Sequence, residues 1–228
     1  MEINIPWAIK KIYLNHLNLG NSIKSPKSIF TDIYNKNAWR SNESVSGPGS
    51  TLEFTTQLRT VLPRIFEKYD IKSVVDAPCG DFNWMKEVDR SVLDFYIGVD
   101  VVSQLIAKNK DLYEDGNTKF QILDITSDTI PRSDLIICRD CLFHFSNKDI
   151  FKTLTNFKNS GASYLLTTTH TDVTRNKNII TGGFSLVNLE QKPFNFPKAL
   201  EYLDDRGKYP AGHVQYNRKL GLWKLADL

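Results

Sequence analysis

Charge of one sign is scarce in this sequence. Its 228 residues carry 29 lysines and arginines against 26 aspartates and glutamates, a net charge of +3. The whole excess lies in residues 1–28, which hold four lysines and one acid (4 − 1 = +3). A balanced remainder has no broad positive field, so nucleic acid is not an expected partner. Three cysteines, Cys79, Cys138 and Cys141, are too few and too unevenly placed for a disulfide framework. That fits a reducing, cytoplasmic setting. No apolar run approaches the ~20 residues that span a bilayer, so no transmembrane segment is expected. Met1–Asn18 is apolar but broken by Lys10 and Lys11, and it lacks a cleavage site, so it does not read as a signal peptide. Repeats and low-complexity stretches are also missing.

What is present reads as an arm followed by one large unit. Ile5, Ile9, Ile12 and His16 fall on one helical face. Such a helix can pack on the main domain, lie on a membrane surface or pair two copies in a homodimer. Residues 1–50 are taken as this helical arm plus a lid, and residues 51–228 as the main domain. Ser46-Gly47-Pro48-Gly49-Ser50 is turn chemistry, and Ser50 with Glu53 spells a capping box opening a helix. Leu58, Leu62, Ile65, Phe66 and Tyr69 form that helix's apolar stripe.

Short apolar runs between polar turns follow, at 73–76, 95–100, 120–124, 135–138 and 164–167. Helical stretches fit between most of them; Ser146 with Asp149 caps the clearest. Alternating strands and helices imply a doubly wound α/β fold, a mostly parallel sheet covered on both faces. Residues 171–198, interrupted by Gly182-Gly183 and Pro193, are not expected to form a long helix. Two late strands, 199–203 and 220–225, can pair as a hairpin at a sheet edge.

Three of the runs end in an acid, Asp76, Asp100 and Asp124, spaced 24 residues apart each time. In an open parallel sheet, ligands bind beyond the carboxyl ends of the strands, where strand order reverses. An acid after the second strand can accept the ribose hydroxyls of an adenosine, and Asp124-Ile125 can offer a polar contact and an apolar wall to adenine. The first turn, Asp76-Ala77-Pro78-Cys79-Gly80-Asp81, has one glycine and two acids where a dinucleotide site wants G-x-G-x-x-G. Acids repel a pyrophosphate but attract the amine and sulfonium of S-adenosylmethionine (SAM).

These residues carry a resemblance. Val74 to Asp81 resembles the first motif of class I SAM-dependent methyltransferases. Asp100 matches the acid after their second strand, and Asp124-Ile125 their adenine-side motif. Cys138-Arg139-Asp140-Cys141-Leu142-Phe143-His144 is similar to their fourth-strand motif, and Leu220 to Leu225 to their last, antiparallel strand of seven. More narrowly, Pro78-Cys79-Gly80-Asp81-Phe82-Asn83-Trp84-Met85 is similar to a bacterial group, part of it associated with surface-polysaccharide metabolism. The resemblance implies a SAM site built from Asp76, Pro78, Gly80, Asp81, Asp100, Val101, Asp124, Ile125 and Arg139. Trp39 is read as a lid residue. Ser46 and Ser50, before a helix N-terminus that attracts anions, are a seat for the SAM carboxylate. Asn83 and Trp84 are placed one turn into the first helix, near the methyl site.

Methyl transfer is an in-line displacement and mainly a positioning problem. A hydroxyl acceptor also gains from a general base. His144 is the first candidate, His170 the second, with Asp140 beside them. Metal binding by this trio lacks a further ligand, and Cys138-x-x-Cys141 lacks a second pair, so no metal is expected. The acceptor read from these features is a small or sugar-like molecule. A non-catalytic nucleotide-binding or partner-binding α/β module is the alternative, and a nicotinamide-dependent oxidoreductase is disfavoured by the missing glycines.

Overall fold

The apolar runs become the strands of one sheet in a computed structural model that describes residues 24–207 and 217–228. The amphipathic stretch read at 1–18 lies outside these residues. The strands are β1 (Ser73–Asp76), β2 (Phe95–Asp100), β3 (Thr118–Ile122), β4 (Leu135–Cys138), β5 (Tyr164–His170), β6 (Glu201–Asp204) and β7 (Arg218–Lys224). Their order is β3-β2-β1-β4-β5-β7-β6. Strands β1 to β5 pair in parallel. β7 is antiparallel to both neighbours and forms with β6 the edge hairpin the sequence suggested.

The helices are α1 (Pro26–Asn35), α2 (Thr56–Lys68), α3 (Ser103–Tyr113) and α4 (Asn147–Asn159). Side chains alternate across a strand, and two cores form accordingly. Val75, Ile136 and Leu165 pack with Ile150, Leu154 and Phe157 of α4. Val74, Ile137 and Leu166 pack with Leu58, Leu62, Ile65 and Phe66 of α2. The sheet is thus covered on both faces, the doubly wound arrangement read from the strand rhythm. Among the described residues, no helix is long and apolar enough to cross a membrane.

Three local expectations are corrected. The helix read at Ser50 begins at Thr56. The Leu52 amide that a cap would help to satisfy is taken by the Glu43 carboxylate at 2.7 Å, and the Ser50 carbonyl accepts from the Asn83 side chain at 3.1 Å. No helix follows β1 beyond a single 3-10 turn, Met85–Glu87. Gly80 (φ 58°) and Phe82 (φ 59°) are both left-handed, which breaks a right-handed helix before it starts. Phe82 is repaid by burial among the rings of Tyr96, Tyr113 and Phe120. Finally, β3 ends at Ile122, so Asp124 lies two residues beyond the strand. Residues 171–200 run without a helix, as expected.

Candidate functional site

β1 lies between β2 and β4, so the chain leaves the sheet in opposite directions on its two sides. That is the switch point where a crevice opens. A cavity enclosing ≈ 960 Å³ of empty space, counted out to its mouth, sits there. Its floor comes from the turns after β1, β2 and β4, and its cover from α1 and the loop at 39–50.

Asp76 ends β1. It is 2% exposed, and its carboxylate accepts a 2.7 Å hydrogen bond from the Tyr96 hydroxyl. Burial raises its pKa to about 7, against the opposing pull of that hydrogen bond and of Arg139. Asp100 ends β2 and accepts from the Val102 amide at 2.9 Å and the Gly80 amide at 3.3 Å. Burial raises its pKa to about 6 despite these amides. Two carboxyls on one cavity wall therefore titrate close to neutral pH, well above the ordinary carboxylate range. Gly80 is required for the turn: a Cβ there would lie 2.2 Å from the Ser46 hydroxyl, at a φ that side chains rarely adopt.

Pro78, Val101, Asp124, Ile125, Trp39, Ser46, Ser50, Arg139, Asp140 and His144 all line the cavity. Asp124 is partly committed to its own turn, where its carboxylate accepts from the amide and hydroxyl of Thr126. Arg139 is 5% exposed and pairs with Asp205, Nε and Nη2 each 3.0 Å from the carboxylate. Its Nη2 also donates to the Gly49 carbonyl at 2.7 Å, and its Nη1 lies 3.6 Å from the Asp140 carboxylate. Asp140, with φ 55°, faces the cavity while its Oδ2 accepts from Arg218 at 2.7 Å. Burial pushes the Asp140 pKa up, but Arg218 and then Arg139 outweigh it and hold it below the ordinary carboxylate value.

Three residues placed at the site from sequence do not line it: Asn83, whose side-chain amide donates to Glu43 (2.7 Å) and to the Ser50 carbonyl (3.1 Å), Asp81 and His170. Asp81 points at the covering loop: its carboxylate accepts from the Ser44 hydroxyl (3.0 Å), the Val45 amide (2.9 Å) and the Ser46 hydroxyl (3.2 Å). It fixes the loop carrying Ser46. Only a three-residue 3-10 turn, Pro48–Ser50, lies here and α2 starts at Thr56, so the α-helix N-terminus behind the anion seat read at Ser46 and Ser50 is not at that place. His170 is 3% exposed at the end of β5, with Nδ1 against the Val187 backbone.

His144 sits in the 3-10 turn Leu142–His144 after β4. Its Nδ1 is 2.7 Å from the Gly183 carbonyl oxygen. A carbonyl only accepts, so in the neutral ring Nδ1 carries the hydrogen and Nε2 keeps its lone pair. Burial lowers the His144 pKa below the ordinary imidazole value, against the Gly183 bond and the Asp140 charge. The ring has aromatic neighbours in Phe143 (4.5 Å), Trp39 (5.7 Å) and Phe184 (5.8 Å), centroid to centroid. Sequence reading missed Phe30 and Tyr34 of α1 and Phe145, all in the wall. The first two recur four residues apart on a short helix, a pattern the sequence does display.

No protein-family model matches the chain, and no curated protein matches it. Solved structures do. The methyltransferase domain of bacterial CtHen1 is 11% identical with a TM-score of 0.56, covering 75% of this chain and 99% of that one. Magnesium protoporphyrin IX methyltransferase from Synechocystis, with SAM bound, is 10% identical with a TM-score of 0.55, over 89% and 99%. A SAM-dependent methyltransferase from Clostridium acetobutylicum is 11% identical with a TM-score of 0.53, over 74% and 91%. At such identities the likeness is one of fold, and the fold is that of SAM-dependent methyltransferases.

Proposed function

We propose that this chain is a SAM-dependent methyltransferase acting on a hydroxyl oxygen of a small-molecule or carbohydrate-like acceptor. The observation that carries this reading is the pair Asp76 and Asp100 in a cavity at the switch point. Both are buried carboxyls whose donors are a tyrosine hydroxyl and backbone amides. Burial raises both pKa values, so the wall favours a ligand that brings positive charge. The amine and sulfonium of SAM fit that demand; a pyrophosphate does not. Asp76 and Gly80 would hold the methionine end of SAM, Asp100 the ribose hydroxyls, and Asp124 with Ile125 the adenine. When bound, SAM supplies an activated methyl group on a neutral leaving group.

The chain's own contribution is positioning and one proton. Trp39, in the cavity wall with its ring 5.7 Å from that of His144, offers an aromatic surface suited to the apolar face of a sugar ring. His144 takes the acceptor hydroxyl's proton at Nε2, the nitrogen the Gly183 contact leaves basic. Its lowered pKa keeps it in the base form at neutral pH. His170 is ranked behind it, because its ring is buried outside the cavity lining.

The test is turnover of SAM against a panel of sugars, sugar nucleotides and small hydroxyl-bearing metabolites, read as formation of the demethylated product. Product with a hydroxyl acceptor is expected. Turnover confined to amine acceptors overturns the oxygen assignment.

A further inference from the structure

The strongest unclaimed feature is a buried carboxylate outside every motif of the sequence. Asp205 follows β6, and its side chain is 1% exposed. It binds two arginines from different strand ends. Arg139, after β4, reaches it through Nε and Nη2 at 3.0 Å each. Arg218, opening β7, reaches it through Nε at 3.0 Å and Nη2 at 2.7 Å. Each arginine then makes a second bond into the cavity wall. Nη2 of Arg139 donates to the Gly49 carbonyl of the covering loop at 2.7 Å. Nη2 of Arg218 donates to Asp140 at 2.7 Å. The Phe54 ring lies 6.0 Å from one guanidinium and 5.0 Å from the other, and Trp84 lies 5.2 Å from that of Arg139. The guanidiniums are stacked as well as bonded. Asp140 and Asp205 balance the two arginine charges.

We propose that Asp205 is a positioning residue, which aims Arg139 at the covering loop and Arg218 at Asp140 and so sets both walls of the cavity at once. A guanidinium has a rigid fork of donors. With Nε and one terminal nitrogen fixed by Asp205, the direction of the remaining donors is set. A structural ion pair would need only two partners. Here one carboxylate holds two forks, each of which continues to a group lining or covering the cavity.

The kinetic part of this inference rests on the methyltransferase reading; the loop part does not. The test is therefore made on ligand-free protein first. Asp205→Asn keeps the shape but cannot accept from both forks. In the folded variant, amide hydrogen exchange over residues 44–51 is expected to speed up about tenfold, while that of β1 and β4 is unchanged. SAM affinity and kcat are each expected to fall about tenfold. Arg218→Lys keeps the charge beside Asp140 and leaves the Arg139 arm intact. It is expected to lower kcat with SAM affinity and loop exchange as in wild type. That split between variants is not what a general loss of stability produces. If Asp205→Asn does not fold, the charge-balanced Asp205→Asn with Arg139→Gln is used, with the same loosening expected. Wild-type exchange over 44–51 in folded Asp205→Asn, or in the double variant where that is the one that folds, overturns the proposal. Loosened exchange in a protein whose wild type binds no SAM upholds the loop arm and overturns the methyltransferase reading instead. Loosened exchange with unchanged kcat overturns the Asp140 arm.

Discussion

Asp76 and Asp100 are raised to about 7 and about 6 in the folded protein, from 3.8. Between those values the folded state binds protons that the unfolded chain has released. Stability of the ligand-free protein therefore falls as pH rises from about 4 to about 7. Asp140 has the opposite sign: it is lowered, so its contribution is present above its unfolded value and is lost as pH falls below it. Asp76→Asn keeps an acceptor for Tyr96 and removes the charge. Ligand-free, that variant is expected to melt several degrees higher than wild type at pH 8, with a flatter pH dependence. It is also expected to bind SAM about tenfold more weakly, because the charge that destabilises the empty site is the one the ligand uses. Melting curves at pH 5 and pH 8 check the first, and titration calorimetry checks the second. A lower melting temperature at pH 8 contradicts the account. At His144 the expected outcome is different. His144→Ala should cut kcat by about 10²–10⁴ with SAM affinity close to wild type. In wild type, the acid limb of the kcat profile should lie below the ordinary imidazole value, since burial lowers this pKa.

At the scale of elements, the covering loop is held by polar bonds, several of them to one residue. Asp81 receives three hydrogen bonds from residues 44–46, and its own amide donates to the Ser46 hydroxyl at 3.0 Å. Asp81→Ala is expected to destabilise the protein by about 1.5–3 kcal/mol, the scale of a hydrogen bond to a charged group. It should also expose the 39–50 segment to limited proteolysis before the sheet unfolds. Cleavage at the wild-type rate sinks this view of the loop. The sequence did not reveal this role. Asp81 sits in the ligand-binding turn by position, and its partners lie 35 to 37 residues earlier. Ser50 and Glu53 look like a capping box for the same reason: the local pattern is right, but Glu43 and Asn83 claim the groups that a cap would use. The elements that were legible are those whose signal is their own periodicity. β1, β2 and β4 match the apolar runs read from the sequence, and α4 is capped by Ser146, whose hydroxyl accepts from the Asp149 amide.

At the scale of the molecule, strand rhythm gave the doubly wound sheet and the acid spacing gave most of one cavity wall. The opposite wall was hidden. Phe30 and Tyr34 come from a ten-residue helix before the sheet. Asp205, which follows β6, is buried against the two arginines and does not itself line the cavity. Nothing local marks a carboxylate that binds two arginines brought together only by the order β4-β5-β7-β6. The claim on which the rest depends is that this cavity takes SAM. Titration calorimetry with SAM and with its demethylated product tests it most directly. One-site binding with Kd between about 1 μM and 1 mM is expected, tightening from pH 5 to pH 8 as Asp76 and Asp100 ionise, and weakened about tenfold by Asp100→Ala. No heat from either ligand at millimolar concentration, with the protein folded, would contradict it.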